Sequence, residues 1–163
     1  VADGDVVILD IGTTTMRIAQ HLRGRPVTVV TTSLAVVDVL RNDDAVTLIS
    51  IGGTLRRNFR SFVGPLAVKA LRRIRADIAF LTCTGVRPDG AIVDDIGEEA
   101  LVKQTLMRSA DRVILVAAAT KFPGTGTLRI GDLDQIDTVV SDAGADRDTL
   151  ELCARAGGQV VIA

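Results

Sequence analysis

The chain has 163 residues, 47% of them apolar, and a net charge of −1 from 19 basic and 20 acidic side chains, which sets it at one globular domain. Its four Phe, with no Tyr or Trp, exclude the aromatic platform on which single strands stack, and the charge balance excludes a basic face for DNA phosphates. One histidine, His21, and two cysteines, Cys83 and Cys153, are too few for a Cys/His zinc site, and no cofactor is expected.

The opening Val1-Ala2-Asp3-Gly4-Asp5 is acidic and lacks the basic start of a secretion signal. With no initiating methionine, the chain is expected to be cut from a longer polypeptide. Two cysteines without a disulfide framework point to a reducing, cytoplasmic setting.

Residues 6–11 read as a buried strand and residues 14–22 as a helix with Met16, Ile18, Ala19 and Leu22 apolar. His21 falls in its last turn, where a cation suits the helix dipole. Residues 27–31 form the next strand, and Ser33 caps a helix that ends near Leu40. Residues 46–51 give a third strand, closed by Gly52-Gly53, whose paired glycines suit a tight turn. Strands follow at 77–83, 112–117, 138–141 and 159–162, and helices at 65–75, 96–110 and 146–156. The longest apolar run, 113–119, is far short of the ~18 residues of a membrane span. Buried strands separated by helices predict an α/β fold with a mostly parallel sheet.

Charge is uneven along this pattern. Residues 1–76 hold 11 basic and 6 acidic groups, and residues 77–163 hold 8 and 14. The basic excess at Arg56, Arg57, Arg60, Lys69, Arg72, Arg73 and Arg75 reads as a solvated helix face plus a polar hairpin. An anion site or a charge-complementary subunit contact is the alternative.

Five segments are candidates for chemistry. Asp10-Ile11-Gly12-Thr13-Thr14-Thr15 joins the first strand to the first helix, and open α/β sheets bind ligands at such carboxyl ends. A helix start there offers free N–H groups and a positive dipole end to a phosphate. Gly12 admits close backbone approach, and the hydroxyls of Thr13, Thr14 and Thr15 suit phosphate oxygens. Asp10 would repel a phosphate and suits sugar hydroxyls instead. A plain turn with a threonine cap explains the same residues, and the pattern is not G-x-G-x-x-G. Thr31-Thr32-Ser33 places a second hydroxyl-rich helix start on the same edge. Arg56, after Gly52-Gly53, can reach an anion there. In the stretch 94–103, Asp95 with Glu98 resembles a capping box, and Glu99 with Lys103 is an i,i+4 pair. Lys121 follows the 112–117 strand on the same edge, as a point charge for phosphate or as an ordinary surface lysine.

Taken in order, these segments resemble the effector-binding domain of DeoR-family bacterial transcriptional regulators. The resemblance covers essentially the whole chain. It rests on Asp10-Ile11-Gly12-Thr13-Thr14, Val30-Thr31-Thr32-Ser33, Gly52-Gly53-Thr54-Leu55-Arg56, Val63-Gly64, Ala76-Asp77-Ile78-Ala79-Phe80, Gly85-Val86, Glu98 through Lys103, Lys121-Phe122 and Asp137 through Asp142. It implies a three-layer α/β/α fold similar to ribose-5-phosphate isomerase. A phosphorylated sugar or related metabolite is the implied ligand, held by Thr13, Thr14, Thr15, Ser33 and Lys121 at the phosphate and by Asp10 and Lys103 at the sugar. It further implies homo-oligomerisation, and DNA contact only through an N-terminal winged helix-turn-helix absent from this chain. The family often has Asn where Thr32 stands, and Asp-Ser-Ser-Lys where Ala118-Ala119-Thr120-Lys121 stands.

The alternative is an active sugar-phosphate isomerase. Isomerases of this fold supply a carboxylate base that aligns without gaps on Lys103, and a protonated lysine is no base. A gapped alignment admits Glu98 or Glu99. The glycine-rich lysine loop of those enzymes is replaced here by Arg87-Pro88-Asp89-Gly90. The chain is therefore read as a sensor that binds without turnover.

Overall fold

Val6-Val7-Ile8-Leu9 is apolar at every position because the middle of a parallel sheet is buried on both faces. In the computed structural model, which describes residues 1–163, this segment is β1 (Val6–Leu9). Val7 and Leu9 face one core and Ile8 faces the other. The chain continues through α1 (Thr13–Leu22), β2 (Thr28–Thr31), α2 (Leu34–Leu40) and β3 (Thr47–Ser50). A hairpin of β4 (Thr54–Arg56) and β5 (Ser61–Val63) then leads to α3 (Pro65–Leu71) and β6 (Ala76–Leu81). Next come β7 (Gly85–Val86), β8 (Ala91–Asp94), α4 (Gly97–Met107) and β9 (Ala110–Val116). The chain ends with β10 (Leu128–Asp132), β11 (Thr138–Ser141), α5 (Arg147–Arg155) and β12 (Gln159–Ile162).

Seven strands form one parallel sheet in the order β12-β11-β9-β6-β1-β2-β3, flanked by helices, as the α/β reading requires. Ala19, Leu22, Val36 and Leu40 of α1 and α2 cover one face beside Val7, Leu9 and Val29. On the other face, α3, α4 and α5 bury Leu71, Val102, Leu106 and Leu150 against Ile8, Leu81 and Leu115. From β1 the chain steps toward β3, and from β6 it steps the opposite way toward β12. The reversal falls between β1 and β6, where a crevice opens at the strand ends of a doubly wound sheet.

The large strands and all five helices fall where the sequence predicts, most ending within a few residues of the expected limits. Ser33 caps α2, its Oγ accepting from the Val36 N–H at 3.4 Å. Two smaller sheets are additional: the β4–β5 hairpin, and a three-stranded antiparallel sheet ordered β10-β8-β7. The capping box of α4 does not form. Ile96 is its N-cap residue and offers no side-chain bond, while Asp94 Oδ1 accepts from the N–H groups of Asp95 at 2.8 Å and Ile96 at 3.3 Å.

Candidate functional site

Asp10 extends β1 by one residue, and its carboxylate turns beneath the end of β6. Asp10 is fully buried. Its Oδ2 accepts from Thr82 N at 3.0 Å, Thr82 Oγ1 at 2.8 Å and Lys103 Nζ at 2.6 Å, while its Oδ1 has no partner. Lys103 rises from the second turn of α4 and also donates to Thr82 O at 2.9 Å and Thr82 Oγ1 at 3.1 Å. A second carboxylate oxygen, Asp94 Oδ2, lies 3.6 Å from the ammonium. Burial disfavours the charged lysine, but Asp10 and Asp94 outweigh it and hold Lys103 above its ordinary value.

Glu99, one turn earlier on α4, is equally buried. Its Oε1 accepts from Arg56 Nη1 at 2.7 Å and from Ser61 Oγ at 2.5 Å, and its Oε2 is buried without a partner. The expected Glu99–Lys103 pair therefore does not form. The two side chains reach separate partners, because each finds a buried opposite charge closer than the other. Arg56 lies 4.5 Å from the centroid of the Phe59 ring at the tip of the same hairpin, which steadies the guanidinium that, with Ser61, clamps the hairpin to Glu99 of α4. Backbone bonds from Phe62 N to Thr32 O and from Leu34 N to Arg60 O, both 2.8 Å, sew the same hairpin to the start of α2.

Between these groups lies a cavity of about 270 Å³, lined by Gly12, Phe59, Thr82, Glu99, Lys103 and Cys83 among others. Gly12, at φ 116°, is the N-cap residue of α1, a backbone conformation that suits glycine. The first-turn N–H groups beyond it have no helical carbonyl to bond, and no acidic residue stands in that turn. Burial pushes the Cys83 thiol up to about 11, with Lys103 and Lys121 pulling the other way, so it is protonated at neutral pH.

The predicted residues divide into three groups. Gly12, Thr13 and Thr14 are exposed at the cavity mouth or on the first turn, and Lys121 is half-buried and without an acidic partner. Lys103 lines the cavity floor, and Asp10 lies behind it, fully buried and paired to it. Thr15, Thr32 and Ser33 are buried: the Thr15 hydroxyl donates to Gly12 O at 3.0 Å, and Thr32 Oγ1 has no partner. Thr82, Ser61 and Phe59 are not among the predicted residues, and Asp94 is predicted only as the start of the 94–103 segment, with no role of its own. Thr82 had one usable signal, a polar residue just past the end of a central strand. The remaining basic cluster is elsewhere: Arg72, Arg75 and Arg108 line a cavity of about 170 Å³ at the C-terminal ends of α3 and α4.

Residues 1–143 match the family model described as the DeoR C terminal sensor domain. The HTH-type transcriptional regulator GlpR of Haloferax volcanii is 31% identical over 98% of this chain and 63% of its own length. The L-fucose operon activator of Escherichia coli is 30% identical over 87% of this chain and 58% of its own. The chain thus spans about 60% of the length of such relatives. Among solved structures, ribose 5-phosphate isomerase A from Methanocaldococcus jannaschii aligns with 74% of this chain and 48% of its own, at 16% identity and TM-score 0.52. The eIF2B beta subunit of Chaetomium thermophilum aligns with 85% and 44%, at 17% identity and TM-score 0.54. These likenesses concern the fold. No helix of the chain is long and apolar enough to cross a membrane.

Proposed function

The chain belongs to the sensor-domain family of DeoR-type transcriptional regulators, and from that membership we propose that it binds a phosphorylated sugar at the β1–β6 crevice and so controls DNA binding by the rest of the protein. The family places it among regulators rather than enzymes. The observation that supports the ligand class is a pairing of opposite tastes, with unpartnered acceptors on the cavity wall (Glu99) and just behind it (Asp10) and free donors toward the mouth. Asp10 Oδ1 and Glu99 Oε2 are buried acceptors without donors, at 0% and 2% residue exposure. Such oxygens cost free energy until a hydroxyl-bearing ligand bonds them. At the mouth, the free N–H groups after Gly12, the hydroxyls of Thr13 and Thr14 and the ammonium of Lys121 suit a phosphate.

Lys103 plays a different part from the contact role implied by resemblance. Its protons already serve Asp10 and Thr82, so it holds the floor in shape. The acidic floor also orients the ligand: three carboxylates (Asp10, Asp94, Glu99) face two cations (Lys103, Arg56), which turns the phosphate outward. Binding then shifts the regulator by favouring one arrangement of subunits over another. We place the protein in the cytoplasm as a homo-oligomer, with DNA contacted through a preceding winged helix-turn-helix.

The test is a thermal-shift screen with pentose and hexose phosphates, their parent sugars and inorganic phosphate. At least one sugar phosphate is expected to raise Tm, with Thr14→Ala and Lys121→Ala each weakening affinity about tenfold, the worth of one charge-assisted contact. A panel in which no phosphorylated sugar stabilises the chain overturns the proposal.

A further inference from the structure

Strands of a parallel sheet are normally covered on both faces, and in this molecule half of one face is bare. Val113, Leu115 and Val139 enter the core beneath α4 and α5. Their alternates Ile114, Val116 and Val140 point the other way, belong to neither core and remain partly exposed. Register aligns them in two rows. Phe80, Ile114, Thr138 and Gln159 form one, and Val116, Val140 and Val161 form the other, with Val161 44% exposed. The layer made by α1 and α2 packs as far as Phe80 and stops.

The size of the bare area selects its occupant. Three strands about 4.8 Å apart, each contributing about four residues at 3.3 Å, span roughly 14 by 13 Å. One helix about 10 Å across fills that footprint. A stable dimer needs roughly 800 Å² from each partner, several times more than this patch offers. The matched domain is C-terminal in its family, and the relatives carry further chain before it. Val1 lies at the N-terminal end of β1, its carbonyl accepting from Arg25 Nη2 at 3.1 Å, and β1 is two strands from β9.

We propose that this half-face seats an amphipathic helix from polypeptide preceding Val1 in a longer form of the protein. Its apolar stripe covers Ile114, Val116, Val140 and Val161, and its polar flank meets Thr138 and Gln159. Val116 leads directly into the Ala117–Lys121 segment at the candidate site, so the same helix touches the strand that carries Lys121.

The experiment compares this 163-residue chain with the chain extended upstream to its natural start, each carrying Val140→Cys, with Gln20→Cys as an exposed control. Maleimide labelling is read peptide by peptide, so that Cys83 and Cys153 are followed separately. The expected result is labelling at position 140 at least about tenfold slower in the extended form at every protein concentration, with position 20 unchanged. Equal rates in both forms overturn the proposal. So does protection that grows with concentration in both, which would mean that a second copy covers the face, or an upstream sequence with no apolar stripe of helical period. In parallel, Val140→Asp is expected to lower Tm by about 3 °C or more in the extended form and by less than about 1 °C in the 163-residue chain. An equal loss in both forms also overturns it.

Discussion

Lys103 is the residue on which the candidate site turns. It neutralises two carboxylates at 2.6 and 3.6 Å from a position 3% exposed. Removing one partner of a buried ion pair costs about 3–5 kcal/mol, because the other charge is stranded. Lys103→Met is therefore expected to lower stability by that amount in urea unfolding. The pH dependence has a definite sign. A lysine held above its ordinary value stabilises fully at pH below about 10.4, and that contribution is lost as pH rises through the folded value. The gap between wild type and Lys103→Met should stay constant from pH 6 to 9 and close only in strong alkali. A gap that closes below pH 9 would show that Lys103 is not held this way. Residue spacing gives Lys103 as half of an i,i+4 pair with Glu99, and the family resemblance adds a sugar contact, but neither pairs it with Asp10. Helical spacing reveals which residues are neighbours on one helix, whereas Asp10, 93 positions away, is brought in by tertiary packing.

The β4–β5 hairpin shows how an element of six strand residues acquires a role beyond its length. It carries Phe59 to the cavity and Arg56 and Ser61 to Glu99, and buries Thr32 and Ser33 behind it. Gly53 permits the close approach: a Cβ there would lie 2.5 Å from Val63 O. Glu99→Ala removes the acceptor of both Arg56 and Ser61. Since Arg56 is 19% exposed and can turn to water, the expected cost is about 1–3 kcal/mol rather than that of a sealed pair. Hydrogen exchange should accelerate at the β4 and β5 amides before it does elsewhere, and unchanged exchange there would argue against the clamp. The hairpin was legible in sequence only as a basic polar turn, and β7, β8 and β10 were not legible at all. Gly85-Val86 is too short to show a period, and β10 carries Arg129 and Asp132 on its solvent side. By contrast, β1 and β2 declare themselves, because only continuous apolar runs survive burial on both faces.

At the scale of the whole molecule, the order β12-β11-β9-β6-β1-β2-β3 puts the first strand inside the sheet, between β6 and β2. Family likeness and alternating strands and helices make this architecture readable without coordinates. The bare half-face was not readable, because a strand open to solvent on one side and a strand covered there can carry the same valines. Contacts between distant parts of the chain dominate such a topology, so folding is expected to be slower than in a helical bundle of equal size. The Asp10–Lys103 bond spans 93 residues and is expected to close late among them. In stopped-flow unfolding and refolding, Lys103→Met should mainly speed unfolding and leave the refolding rate within about threefold. A refolding rate that falls by the full equilibrium change would place the pair in the folding nucleus instead.

The same 93-residue closure has a meaning for a chain still being made. When β1 and α1 leave the ribosome, the loop after Gly12 is already present, but its floor is not, since Thr82, Asp94 and Lys103 have yet to be translated. A metabolite abundant in the cell meets no complete site on a partial or truncated chain. Under the proposed function, a ligand site that includes Lys121 is complete only once synthesis has passed that residue, well beyond the Asp10–Lys103 pair that closes its floor.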